Sequence, residues 1–151
     1  MDFKSFLVKA KVNSYPTSGE GGEKIREDGG KEFSYSEKDY KYVDIYYGHD
    51  PFIGKEIVWK EGKLRWGMNY YGSISSDKMK SKEVYTFLKK ALSQIDQEHP
   101  FRGPKEFTEG QLRYVNEVKG NINFFQGTKH ILLYGKKVYS LFYHGGMIKS
   151  K

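Results

Sequence analysis

Phe52-Ile-Gly-Lys-Glu-Ile-Val-Trp-Lys-Glu-Gly-Lys-Leu-Arg-Trp-Gly-Met-Asn-Tyr-Tyr-Gly72 can be set without a gap against Phe125-Gln-Gly-Thr-Lys-His-Ile-Leu-Leu-Tyr-Gly-Lys-Lys-Val-Tyr-Ser-Leu-Phe-Tyr-His-Gly145. Phe52/Phe125, Gly54/Gly127, Gly62/Gly135, Lys63/Lys136, Tyr70/Tyr143 and Gly72/Gly145 are identical, and Trp66/Tyr139 and Met68/Leu141 are physically alike. Working upstream, Ser36-Glu37 pairs with Thr108-Glu109, Tyr42-Val43 with Tyr114-Val115, and Gly48 with Gly120. Earlier still, Phe6-Leu-Val-Lys-Ala10 pairs with Phe87-Leu-Lys-Lys-Ala91. Four matched blocks in one order predict an internal duplication, about 1–75 and 76–151, within a single domain.

Each copy reads as a helix, a long connection and three strands. Asp2 is the expected N-cap of the first helix, with Phe3, Phe6, Leu7 and Ala10 on one face. The second helix opens near Ser81 and turns Val84, Phe87, Leu88, Ala91, Leu92 and Ile95 to one side. Strands are expected near 39–47, 55–60, 64–71, 111–119, 128–134 and 137–144, with hairpin turns at Glu61-Gly62 and Tyr134-Gly135. The order αβββ-αβββ predicts an α+β fold, an antiparallel sheet or sheets with both helices on one face. Residues 13–35, rich in Gly and charge, read as a long flexible loop. Their Gly19–Lys24 stretch lacks the ending of a phosphate loop.

Composition bounds the function. The chain has 151 residues and no Cys, which excludes a disulfide scaffold, a thiolate metal site and a cysteine nucleophile. No apolar run is long enough for a membrane span or a signal peptide, so a cytoplasmic protein without membrane contact is expected. The net charge of +7 is uneven: residues 1–75 hold 12 basic and 12 acidic side chains, residues 76–151 hold 14 and 7. Lys78, Lys80, Lys82, Lys89 and Lys90 are the densest group and the candidate polyanion patch. With 22 Lys and only 4 Arg, solvated surface is favoured over a nucleic-acid reader.

Period-two alternation sorts the last strand of each copy into faces. Trp66, Met68 and Tyr70, with Tyr139, Leu141 and Tyr143, read as core. The other face differs between the copies: Arg65, Gly67, Asn69 and Tyr71 against Val138, Ser140, Phe142 and His144. Its mixture of aromatic and hydrogen-bonding groups is the composition of a small-molecule site. The candidate ligand residues are therefore Arg65, Asn69, Tyr71, Phe142 and His144, with Arg102 as an added cation and the 13–35 loop as a flap. The four histidines show no metal-ligand spacing, and no cofactor or metal is expected. His49-Asp50-Pro51 reads as a turn. Glu56 with Glu61 makes no convincing carboxylate pair, and no catalytic constellation stands out.

Phe52-x-Gly-x-Glu-x-Val-Trp59, Trp66-x-Met-Asn-Tyr-Tyr-Gly72, Pro100-Phe-Arg-Gly-Pro104 and Val138-Tyr…His144-Gly-Gly together carry a resemblance. Over about 36–148 the chain resembles a prokaryotic family of domains of unknown function, found alone or C-terminal to phage-repressor-type (XRE-like) helix-turn-helix domains. The resemblance implies the sensing or oligomerising half of a regulator where a helix-turn-helix precedes it. Here the chain opens directly on its first helix, so a stand-alone binder is equally expected. The leading expectation is a non-enzymatic domain that binds a small or anionic ligand or regulates. The alternatives are polyanion binding through the Lys-rich half, and a hydrolase or isomerase centred on His144.

Overall fold

The computed structural model describes residues 1–15, 23–95 and 103–150. Among them are two helices, α1 (Phe3–Val12) and α2 (Ser81–Leu92), and nine strands. The strands are β1 (Lys24–Ile25), β2 (Lys31–Glu37), β3 (Tyr40–Gly48), β4 (Phe52–Lys60) and β5 (Lys63–Ile74), then β6 (Glu106–Glu109), β7 (Leu112–Asn121), β8 (Phe124–Leu133) and β9 (Lys136–Met147). They form one antiparallel sheet in the order β1-β2-β3-β4-β5-β9-β8-β7-β6. The fold is α+β and dominated by that sheet. β5 and β9 meet at its middle, Trp66 opposite Met147 through Ile74 opposite Tyr139.

Local chemistry sets the elements. The Asp2 carboxylate accepts the Ser5 N–H at 2.8 Å, which satisfies one of the free donors of the first turn of α1. In α2, Glu83 in the first turn and Lys89 and Lys90 in the last complement the helix dipole. The β4–β5 and β8–β9 connections have positive φ at both central residues, Glu61 with Gly62 and Tyr134 with Gly135. That conformation matches the twist of a two-residue hairpin.

Register follows the buried pattern. Tyr42, Val58 and Trp66 are successive cross-strand partners in β3, β4 and β5, as are Tyr114, Ile131 and Tyr139 in β7, β8 and β9. These side chains belong to one buried cluster with Phe6, Leu7 and Ala10 of α1 and Val84, Phe87, Leu88 and Ala91 of α2. Each fully buried apolar side chain of this size contributes roughly 1.5–3 kcal/mol, so loss of either helix would be decisive for stability.

Three expectations need correction. The pattern αβββ missed the outer strands β2 and β6, so each half carries more than three. Residues 13–35 are not one loop: Lys24–Ile25 and Lys31–Glu37 form a hairpin on the sheet edge, with Lys31 opposite Tyr46. The part of that stretch at 16–22 lies outside the described residues. Strict alternation also fails at two bulges, between Val58 and Trp59 in one half and between Ile131 and Leu132 in the other. Val138 thereby joins the core at 1% exposure, although alternation assigns it to the outer face.

Two glycines are required by close approach. A Cβ at Gly54 would clash with Cζ and the hydroxyl of Tyr70, and one at Gly127 with those of Tyr143. Replacement of Gly127 by Ala is expected to cost about 1–3 kcal/mol through overpacking. At about 2–4 °C per kcal/mol for a chain of this size, thermal unfolding should shift down by several degrees. An unchanged midpoint would contradict the packing.

Candidate functional site

A cavity of about 110 Å³ lies between α2 and the inward face of the sheet. Its polar floor comes from alternate strand positions. Asp44 is the cross-strand partner of Glu56, and Glu56 of Met68; Lys129 is the partner of Leu141 in the other half. α2 supplies Tyr85, Leu88 and Leu92, and Tyr15, Tyr46, His49, Phe52, Tyr70 and Tyr139 complete the lining. At its rim, the Tyr85 hydroxyl donates to the His49 carbonyl at 2.5 Å and the two rings meet edge to face.

Two carboxylates on an otherwise aromatic inward face dominate the electrostatics. Asp44 is 7% exposed and its Oδ1 accepts the Tyr70 hydroxyl at 2.5 Å. Its pKa is pushed up to about 8, first by burial and then by the neighbouring Glu56 charge. The Tyr70 hydrogen bond and the charges of Lys11 and Lys129 pull the other way without reversing it. Asp44 thus holds its proton at neutral pH. Glu56 takes the cation instead: Lys11 Nζ from α1 stands 3.1 Å from Oε1, with both side chains near 10% exposure. That oxygen is buried without an aligned hydrogen bond, so the contact is an ion pair only. Burial, reinforced by Glu56 and Asp44, pushes the Tyr42 hydroxyl well above its ordinary value.

Tyr139 adds a second unmet requirement. Tyr139 lines the cavity, and its hydroxyl is buried with no hydrogen-bond partner among the described residues. Leaving such a group unpaired costs roughly 1–3 kcal/mol, which a bound acceptor or donor would recover.

The other half repeats the geometry with different charge. The Tyr143 hydroxyl donates to Asn116 Oδ1 at 2.7 Å, as Tyr70 does to Asp44. Asn116 is opposite Lys129, as Asp44 is opposite Glu56. Lys129 Nζ lies 5.4 Å from the centroid of the Tyr143 ring.

The residues selected from sequence fall elsewhere. Asn69 and His144 are direct partners across β5 and β9, and so are Tyr71 and Phe142. These four share the outer face of the sheet, where Tyr71 and Phe142 are half exposed. Arg65 sits at the β4–β5 bulge and lines a shallow groove with Asp2, Phe3 and Tyr40 beside the start of α1. Arg102 lies outside the described residues. Of the polyanion group, Lys78, Lys80 and Lys82 are exposed; Lys90 pairs with Glu109 at 2.9 Å and Lys89 lies over the Tyr15 ring. Among the described residues no three His, Cys, Asp or Glu side chains are grouped to hold a metal. Among the described residues no helix is long and apolar enough to cross a membrane.

The cavity was missed, yet it left a trace in the sequence. Asp44 falls between Tyr42 and Tyr46, and Glu56 between Gly54 and Val58, all at inward positions. Lys129 and Asn116 break the apolar series of the second half in the same way. Ionisable residues at core parity were the usable signal.

The raised pKa of Asp44 makes a stability prediction. Between the ordinary carboxylate value near 4 and about 8 the folded chain holds a proton that the unfolded chain releases. Stability therefore falls as pH rises through that window and levels off above it. Asp44→Asn should remove the effect. Its unfolding free energy should exceed that of the natural chain by a margin growing from pH 5 to pH 8, on the order of a few kcal/mol at the top. A margin that is flat with pH would contradict the assignment.

The model of a domain of unknown function, DUF5680, matches residues 44–148, a span that begins at Asp44 and includes Glu56, Tyr70, Lys129 and Tyr139. Searches of the curated proteins and of the solved structures return no match. With more than half of its length covered by that model, the chain belongs to the DUF5680 family of domains of unknown function.

Proposed function

We propose that the chain is a non-enzymatic small-ligand-binding domain and that its ligand occupies the cavity between α2 and the inward face of the sheet. One observation carries this reading. A carboxyl group held protonated near neutrality and a buried hydroxyl with no partner line the same aromatic cavity. Small-molecule sites have this composition, mostly apolar walls with a few convergent polar groups. At about 110 Å³ the cavity is smaller than the roughly 150 Å³ apolar cavity that accepts benzene, so a one-ring ligand would place only part of its body inside and project past the rim.

The matched arrangements Tyr70–Asp44 over Gly54 and Tyr143–Asn116 over Gly127 support descent of the halves from one repeat, with both helices covering the same sheet face. On that reading the ligand lies near the seam of the two repeats, and the charge differences between them mark where binding arose. The outer face is the weaker candidate for the ligand. Its central residues are exposed on a bare sheet, and the cross-strand neighbours of His144 are Asn69 and Gln126, neither of them an acid that could orient a catalytic imidazole.

Methyl NMR with a library of one-ring fragments separates the two faces. Binding in the cavity should shift Leu88, Leu92 and Leu141 and leave Ile53, on the outer face, unchanged. Fragments that shift Ile53 alone, or no fragment bound at millimolar concentration, would overturn the proposal.

A further inference from the structure

We infer that the cavity takes an organic cation, an ammonium group on a body about one ring in size, with Asp44 as its counter-ion. The inference rests on the cavity being a binding site and names what it binds.

The two Tyr–Asx pairs make the case. Tyr143 donates to Asn116 at 2.7 Å with its ring over Gly127, and Tyr70 donates to Asp44 at 2.5 Å with its ring over Gly54. A neutral amide oxygen satisfies the first pair. The packing therefore has no need of a charge at position 44, and a buried aspartate there raises the cost of folding above pH 4. A group that the fold tolerates at a cost, and that its own counterpart shows to be dispensable, is retained for another purpose.

The disposition of cations says which purpose. Lys11 stands against Glu56 and also lies 5.7 Å from the Trp66 ring centroid; Lys129 lies over Tyr143. Among the described residues no cation stands within salt-bridge distance of Asp44. The same cavity is lined by the rings of Phe52, Tyr85 and Tyr139, which pack on one another. Phe52 and Tyr139 are nearly parallel, 20° apart, and Tyr85 is close to perpendicular to both, at 71° and 87°. A ring that turns a face to the cavity attracts a cation through its quadrupole, and the attraction is strongest where water is excluded. Carboxylate and ring faces together suit an ammonium headgroup better than an anion.

Binding must then displace a proton: Asp44–COOH plus R–NH3⁺ becomes Asp44–COO⁻ paired with R–NH3⁺, and H⁺ goes to solvent. The groups that face this event are Glu56 from β4, Tyr70 from β5, Lys11 from α1 and Lys129 from β8, with His49 at the rim. Tyr46 flanks Asp44 on its own strand, and α2 contributes only the neutral Tyr85, Leu88 and Leu92 to the cavity lining.

Four probes with a common phenyl body test this: benzylamine, benzyltrimethylammonium, benzyl alcohol and benzoate. Each is titrated calorimetrically at several pH values in two buffers of different ionisation enthalpy. The two cations should bind best, with affinity rising about tenfold per pH unit up to about 8 and flat above it. Close to one proton should be released per cation bound at pH 6–7. Asp44→Asn, a substitution that position 116 shows to fit, should weaken cation binding tenfold or more, abolish proton release and leave benzyl alcohol within twofold. Proton release in the natural chain needs no variant and keeps the test open if Asp44→Asn fails to fold. Stronger binding of benzoate or benzyl alcohol with the same Leu92 methyl shift overturns the cation and leaves the binding site standing. A pH dependence that survives Asp44→Asn assigns the proton to another group, His49 included, and overturns the role of Asp44. No binding by any of the four overturns the cavity reading as well.

Discussion

The pairing of β5 with β9 is the contact on which the rest of the molecule depends. It joins two halves that otherwise pair only within themselves, and it does so in the middle of the sheet. The cavity exists because of it: Asp44, Glu56 and Tyr70 come from one side of this seam, Lys129, Tyr139 and Leu141 from the other. Gly67, Gly145 and Gly146 lie along the seam. A Cβ at Gly145 would strike the backbone of Gly67 and Met68, so close strand approach there leaves no room for a side chain.

The inward positions of the sheet are buried, and here some of them carry charge. A buried ion pair such as Lys11–Glu56 is a poor stabiliser, because the desolvation of both ions offsets their attraction and an apolar pair of equal volume often does as well. Asp44 is a net liability above pH 4, as its raised pKa states directly. Neither group is accounted for by what holds the fold together. The stabilising contribution comes from the aromatic residues around them, with Trp66 stacked on Phe125 and Phe6 on Tyr40.

Much of this architecture was legible in the sequence. The Asp2 cap, the faces of both helices, the six inner strands and both two-residue turns follow from spacing and turn chemistry, because each has a local physical cause. The edge strands were not legible. Lys31–Glu37 follows a Gly-rich stretch and carries three charges, so composition outweighed the alternation that places Phe33 and Tyr35 inward. The cavity was not read from the sequence for a related reason. Divergence between the two copies was sought on the face opposite the core, where alternation put Arg65, Asn69, Tyr71, Phe142 and His144. The differences at matched positions that change buried charge, Asp44 against Asn116 and Glu56 against Lys129, lie on the core face. Bulges, which no period-two reading anticipates, moved Val138 into the core and left Arg65 beside α1.

The claim at the centre of this account is that Asp44 is a proton-holding carboxyl group in a cavity, ready to ionise against a bound cation. Its ionisation can be followed directly by 13C NMR of the side-chain carboxyl carbon across pH, assigned by loss of the signal in Asp44→Asn. A midpoint near 8 is expected in the free protein. A midpoint in the ordinary aspartate range near 4 would contradict it.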